Sequence, residues 1–535
     1  MTSRTNLTRL ASLATLALTA VFVGGCDGGD GTSSGACQTQ RDCSPGRLCI
    51  DGHCVEYDGG DGFEQDVGED ATDAPDRDDR PEVVAEDGGE VPAPCGDGVI
   101  QDPEECDDGN SASGDGCVGC GVEERWNCSG EPSSCWLLGD YHVAPDGDDE
   151  ASGDLLHPFA TLNRAWAAVE PGDLVYVRGG TFAFTEQQVL TDKSGTPEAP
   201  IRVWAYPGET PVLTRAEGYA ANFGLFFSGD YVHFKGLELT GYAQKTVEDG
   251  GGNVSPGMRV EDASHNVFER LDSHHNGHGI VIVGASDDNL VLNCDFHHNQ
   301  DPYTTPDTYG NADGLEIAYV PAGLRNTVRG CRFWWNTDDG IDLWEDDGNV
   351  VIDGCWSWNN GFIPDTTTPA GDGNGFKLGL TTEDFGSVVL RTVTRCLAFD
   401  NLAHGFDQNG GLCSMELYNN TSHANGSAGF AFAYADMPMT AKNDVAYQNE
   451  DESGFTATSV LEHNSWDGSV TVSDEDFASV DPTGMDGPRG ADGSLPILPF
   501  LRLTADSDLV DAGVDVGLPF EGAAPDLGAF EALGD

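Results

Sequence analysis

Lysine is scarce in this chain. Five lysines and 20 arginines face 92 aspartates and glutamates in 535 residues, a formal net charge of −67. A field of that sign repels polyphosphate, which excludes unaided binding to nucleic acid or to an anionic membrane surface. Beyond the N-terminal leader no apolar run approaches the roughly 20 residues that span a bilayer, so membrane attachment would have to be through lipid. The 71 glycines follow no collagen-like period, which leaves turn-rich β structure as their use. Cysteine, by contrast, is concentrated: 11 of 16 lie in the first 135 residues, the pattern of an oxidising, extracytoplasmic location.

The leader has Arg4 and Arg9, an apolar run over residues 10–23, and then Gly24-Gly25-Cys26. This is a secretory signal, and the Cys after small residues resembles a bacterial lipobox in which Cys26 is lipidated. The expected location is therefore extracytoplasmic, anchored in the bacterial envelope through Cys26, at the cell surface or secreted. Residues 27–54 carry Cys37, Cys43, Cys49 and Cys54, enough for a small four-Cys module. Residues 55–93 are acidic and nearly without aromatics, the composition of a self-repelling disordered linker. Residues 94–136 hold Cys95, Cys106, Cys117, Cys120, Cys128 and Cys135, a set that reads as disulfides rather than as a zinc site. Its Cys95-Gly96-Asp97-Gly98 and Glu105-Cys106-Asp107-Asp108-Gly109-Asn110 stretches resemble a cysteine-rich repeat of myxobacterial secreted proteins.

From residue 137 to the end the pattern is repetitive. A short amphipathic helix is expected over residues 163–170, stopped by Pro171-Gly172, and strands over 174–177, 201–204 and 231–239. Asn276, Asn299, Asn336, Asn360, Asn401, Asn425 and Asn449 recur at intervals of 23, 37, 24, 41, 24 and 24 residues. Each follows by five positions Leu271, Cys294, Cys331, Cys355, Cys396, Asn420 or Asp444. A 23–24-residue unit of short strands with a stacking Asn at one turn describes an all-β fold, a right-handed parallel β-helix with an N-terminal capping helix. Stacked at about 4.8 Å, the Asn side chains can bond along the column and tolerate a left-handed turn. The stacked cysteines read as buried thiols filling the bore.

A second column carries chemistry. Gly279-Ile280-Val281, Gly314-Leu315-Glu316, Gly340-Ile341-Asp342, Gly375-Phe376-Lys377, Gly405-Phe406-Asp407 and Gly429-Phe430-Ala431 align in successive coils. With alternating side chains the apolar residue points inward and the next outward, so Val281, Glu316, Asp342, Lys377, Asp407 and Ala431 share one surface. The residues before each Gly are His278, Asp313, Asp339, Asn374, His404 and Ala428. Asp313, Asp338, Asp339 and Asp342 thus converge within two coils, one coil from Lys377. Four carboxylates on a rigid surface need a cation, and an all-oxygen set suits Ca2+. Trp334, Trp335, Trp344 and Trp356 lie near enough to offer sugar-stacking faces, although stacked aromatics in a β-helix more often fill its bore.

Asn311-Ala312-Asp313-Gly314, Asn336-Thr337-Asp338-Asp339-Gly340-Ile341-Asp342 and Gly371-Asp372-Gly373-Asn374-Gly375-Phe376-Lys377-Leu378-Gly379 resemble the pectate lyases of polysaccharide lyase family 9. The resemblance runs from about residue 141 to the Asp526-Leu527-Gly528-Ala529-Phe530 tail. It implies Ca2+ bound by Asp313, Asp338, Asp339 and Asp342, with Lys377 as the catalytic base. It also implies β-elimination of polygalacturonate to 4,5-unsaturated ends by what is expected to be a monomer, its partners being the acidic polysaccharide and a membrane reached only through Cys26. The alternatives are a lyase on another uronate polymer and a non-catalytic, surface glycan-binding lipoprotein. A polygalacturonase-type hydrolase fits poorly, because the echoes Asn336-Thr337-Asp338 and Gly277-His278-Gly279 occur in reversed order with no Arg-Ile-Lys after them.

Overall fold

The computed structural model describes residues 95–101, 104–249, 251–252 and 254–532, together with the backbone of residues 47–50 and 53–56. The leader with Cys26, the expected linker beyond its first two residues, and most of the four-Cys module lie outside the described residues. Of that module the backbone hairpin Arg47–Ile50 and His53–Glu56 is seen, with Cys49 opposite Cys54. The second cysteine set forms three disulfides, Cys95–Cys120, Cys106–Cys117 and Cys128–Cys135. This module abuts the first coil: Arg125 Nη2 lies 2.6 Å from Asp140 Oδ2, and the Tyr176 hydroxyl donates to the Leu137 carbonyl.

The rest of the chain winds into a parallel β-helix with three faces. The first sheet has 12 strands, from Tyr141–Val143 to Val460–Glu462; the second has ten, from Gly180–Phe184 to Val445–Tyr447; the third has ten, from Gln188–Leu190 to Asp451–Phe455. Within each coil the chain visits the three sheets in that order. Leu162–Ala168 is the capping helix, its N-terminus held by Thr161, whose side chain accepts from the Arg164 N–H. It covers the open end of the bore with Leu162, Ala165 and Trp166. Stretch 231–239, expected as one strand, is two, Val232–Lys235 and Glu238–Thr240. Between them Gly236 takes φ 73°, the left-handed corner at which the chain passes from the first sheet to the second.

Side-chain ladders run along the turns. From Asn299 to Asn449 each Asn Nδ2 donates to the next Oδ1 at 2.9–3.0 Å, inside the structure. The left-handed residue is not the ladder Asn but the one before it: His275, His298, Trp335, Asn359, Asp400, Ala424 and Gln448 all have φ between 53° and 60°. That corner aims the following side chain inward. The thiol ladder obeys the same rule. Cys294, Cys331, Cys355 and Cys396 are buried free thiols, each Sγ accepting from the backbone N–H of the preceding coil's ladder residue. A further Asn column, Asn266, Asn289 and Asn326, repeats at the same intervals of 23 and 37 residues and was missed in the sequence; its members bond one another at 2.9 Å at the entrance to the first sheet.

The bore is filled by aromatic and aliphatic rows. Phe376, Phe406 and Phe430 stack 4.9 Å apart beneath the third sheet. Each buried Phe contributes about 1.5–3 kcal/mol. A second apolar cluster lies outside the bore. Residues after the last coil fold back along the outer face of the second sheet, where Phe477, Met485, Phe500 and Leu509 pack on Trp334, Trp356, Trp358 and Phe399. This C-terminal strap is anchored far down the solenoid: Arg489 pairs with Asp295 at 2.7 Å, and Arg332 donates to the Met485 carbonyl while pairing with the same aspartate. Trp334 and Trp356 therefore serve the strap, neither the bore nor a sugar site.

Candidate active site

The outward column predicted from the Gly pattern is in register. Val281, Glu316, Asp342, Lys377, Asp407 and Ala431 are successive strand partners in the third sheet. The glycine at the start of each strand is a packing requirement. A Cβ on Gly340 would sit 2.1 Å from Ser357 Oγ and 2.5 Å from the Gly375 carbonyl, so only glycine admits the next coil.

The residues before these glycines form a ladder of their own. Asp313 Oδ1 accepts the Asp339 N–H at 2.9 Å, Asp339 Oδ1 accepts the Asn374 N–H at 2.6 Å, and Asn374 Oδ1 accepts the His404 N–H at 3.2 Å. One oxygen of Asp313 and of Asp339 is thus committed to holding coils together, which leaves the other for chemistry. Asp338 Oδ1 is similarly held by the Asp372 N–H. The buried Asp342 Oδ1 has no hydrogen-bond partner, and Asp339 Oδ2 has no aligned donor, only the Lys377 ammonium at 2.8 Å.

Lys377 Nζ is the centre of the arrangement, 2.8 Å from Asp339, 3.2 Å from Asp342 and 3.3 Å from Asp372, on a side chain only 6% exposed. Burial works to lower its proton affinity, but the charges of Asp339, Asp342, Asp338 and Asp313 override it and hold the amine well above its ordinary value. The carboxylates are strained in the complementary sense. Burial, then mutual repulsion, pushes Asp313 and Asp338 well up, and burial takes Asp342 up to about 8. Carboxyl groups held in this way accept either protons or a cation.

The donor set fits a hard divalent ion. Single carboxylate oxygens of Asp313, Asp339 and Asp342 lie within 4.8 Å of one another, as do those of Asp338, Asp339 and Asp372. All are oxygen donors, and two of the buried oxygens lack a hydrogen-bond donor, the chemistry Ca2+ selects.

Asp313, Asp338, Asp342, Asp372 and Lys377 line a groove of about 360 Å³ together with Arg259, Glu316, Tyr319 and Trp344, and Asp339 lies fully buried beneath it. Trp344 is the tryptophan that faces the site, its ring 5.9 Å from Lys377 Nζ; Trp335 instead packs on Phe362. Arg259 and Asp372 were missed in the sequence. Arg259 lies one coil before Val281 in the same outward column, so extending the alignment one unit back would have found it. His278 is fully buried beside the cluster, 3.8 Å from Asp313 and 3.6 Å from Glu316, and burial takes it down to about 4, so it is neutral.

Residues 141–464 match the family described as Pel9A-like, right-handed β-helix region. The chain is 33% identical to pectate lyase L of Dickeya dadantii over 407 residues, covering 73% of this chain and 90% of that protein. It is likewise 33% identical to pectate lyase PEL9 of Emericella nidulans, over 71% of this chain and 95% of that one. Among solved structures, pectate lyase Pel9A superposes with a TM-score of 0.63 at 33% identity, over 74% of this chain and 96% of that one. A rhamnogalacturonan lyase superposes with a TM-score of 0.62 at 27% identity, over 68% of this chain and 96% of that one.

Proposed function

The chain belongs to the Pel9A-like right-handed β-helix family and is a pectate lyase, and we propose that it cleaves polygalacturonate by Ca2+-dependent β-elimination in the groove of the third sheet. The observation that carries this reading is Lys377 Nζ, buried yet opening into the groove, held between Asp339 and Asp342.

Asp313, Asp338, Asp339 and Asp342 would hold the ion. Bound there, Ca2+ would neutralise the uronate carboxylate, stabilise the enolate-like charge and offset the field that raises the proton affinity of Lys377. Lys377 Nζ takes the C5 proton; the C4–O4 bond breaks, C4=C5 forms, and the leaving O4 is protonated from solvent. Asp339 and Asp342 fix the amine at one point, and burial in a solvent-poor wall holds the side chain in one rotamer. Arg259, four strands along the same outward column from Lys377 and paired with Glu261 at 2.8 Å, places a guanidinium at the end of the groove, suited to a neighbouring uronate carboxylate, and Trp344 offers a flat face to a sugar ring.

The full chain is to be incubated with polygalacturonate, rhamnogalacturonan and alginate, with Ca2+ and with chelator. The expected result is near-ultraviolet absorbance of unsaturated ends on polygalacturonate, abolished by chelator. Absorbance that chelator leaves untouched removes the metal role, and absorbance confined to another polymer reassigns the substrate.

A further inference from the structure

A different face of the solenoid carries a second cluster. The stretches Ser273-His274-His275-Asn276 and Phe296-His297-His298-Asn299 repeat one coil apart, so four of the chain's 13 histidines meet on the surface of the second sheet. His274 and His297 are strand partners whose rings stack at 4.7 Å and 8°; His275 and His298, at the left-handed corners, stack at 5.2 Å and 17°. Within each coil the neighbours meet through Nδ1, at 2.6 Å for His274 and His275 and at 2.7 Å for His297 and His298.

The far nitrogens face carboxylates. His274 Nε2 is 3.1 Å from Glu238, His297 Nε2 is 3.1 Å from Asp272, and His298 Nε2 is 3.4 Å from Asp365. An ionised carboxylate only accepts, so His297 and His298 each carry hydrogen on Nε2 and present a bare lone pair at Nδ1. Two lone pairs 2.7 Å apart repel unless positive charge lies between them. A carboxylate behind three of the four imidazoles is also how metal-binding histidines are oriented. His274 Nδ1 also lies 3.2 Å from the Thr240 hydroxyl, so the barest lone pairs are those of His297 and His298.

We propose that His274, His275, His297 and His298 form a site for a nitrogen-seeking divalent transition ion, Cu2+ or Ni2+, distinct from the carboxylate groove. A proton could relieve one pair, but two imidazolium pairs stacked one coil apart would repel each other, whereas a divalent ion seated in one pair draws the other in by side-chain rotation across the 4.7–5.2 Å between their rings. Imidazole donors disfavour Ca2+. With metal–nitrogen bonds of about 2.0–2.1 Å, tetrahedral ligands lie about 3.3 Å apart and right-angle ligands about 2.9 Å. The observed 2.6 and 2.7 Å are nearer the right-angle bite that square-planar or tetragonal ions favour.

The test titrates the full chain, stripped by chelator and returned to saturating Ca2+, with Cu2+, Ni2+ or Zn2+ by calorimetry, and records the Cu2+ electron paramagnetic resonance spectrum. The expected result is one Cu2+ with superhyperfine splitting from several nitrogens, displaced by Ni2+ more readily than by Zn2+. His297→Ala and His298→Gln should each weaken Cu2+ at least tenfold while lyase activity with Ca2+ stays unchanged. Circular dichroism checks the fold of each variant, and the surface-exposed His275→Ala serves if either misfolds. Wild-type affinity in the folded variants, or no Cu2+ binding with only a proton titrating at these rings, overturns the proposal.

Discussion

Asp342 and Lys377 are strand partners one coil apart, and their side chains leave the same face of the third sheet to meet at 3.2 Å. The register of a parallel ladder, not a local motif, brings acid and base together, although 34 residues lie between them. Whatever maintains that register maintains the site.

Lys377→Arg keeps the charge and the ion pairs but removes a base that can be deprotonated at usable pH. Turnover on polygalacturonate should fall at least about a hundredfold, while calorimetric Ca2+ affinity changes little. Near-normal turnover would show that another group takes the C5 proton.

Asp342→Asn is nearly isosteric and disturbs no ladder bond, since neither Asp342 oxygen accepts from backbone. Ca2+ affinity, read by calorimetry, should drop at least about tenfold, equivalent to about 1.4 kcal/mol, with the melting temperature in chelator unchanged or raised. Asp339→Ala should lose Ca2+ as well, but with a lower melting temperature, because Asp339 Oδ1 also holds Asn374.

Asp444 occupies a place in the Asn420–Asn464 column that would suit an amide. Its Oδ1 accepts from Asn420 N and Nδ2, its Oδ2 is buried without a partner, and burial takes it up to about 8, with Asp467 adding to the rise. The folded value lies above the unfolded one, so the stability contribution is fully present below about pH 4 and is lost as pH rises to about 8. Asp444→Asn should therefore be stabilising by about 1–2 kcal/mol at pH 9. Its advantage in melting temperature over wild type should widen from pH 5 to pH 8 and then level off. An advantage independent of pH would mean that Asp444 is ionised throughout.

A chain starting at Leu137 should keep full specific activity on soluble substrate, because the disulfide module contributes nothing to the groove. It should nevertheless melt a few degrees lower, having lost the Arg125 partner of buried Asp140. A large loss of turnover in the folded truncation would place the module in the catalytic path.

The coil period, the outward column and the carboxylate cluster were legible in the sequence because strand alternation and a rigid 23–24-residue repeat leave little freedom. Part of what escaped does repeat, namely Arg259 and the Asn266–Asn326 column; the rest depends on segments that do not. Asp372 reaches Lys377 from one of the long insertions, whose path no periodicity predicts. Trp334 and Trp356 looked like bore or sugar residues because nothing local announces that a later segment will cover them. The left-handed corner was assigned to the wrong residue because Asn is the usual occupant of that conformation, whereas here the residue before it takes the corner and the Asn turns inward.

The C-terminal strap changes how this molecule should come apart. In an unstrapped solenoid each repeat feels only its neighbours, and the ends can fray one rung at a time. Here Arg489 fastens the tail to Asp295, many rungs from where the tail leaves the last coil. Losing the terminal rungs therefore means peeling Phe477, Met485 and Phe500 off the tryptophan face of the middle rungs, and the rungs that bear Asp313, Asp339, Asp342 and Lys377 lie inside the clasped span. Melting should be correspondingly abrupt, with the catalytic face failing together with the tail rather than outlasting it.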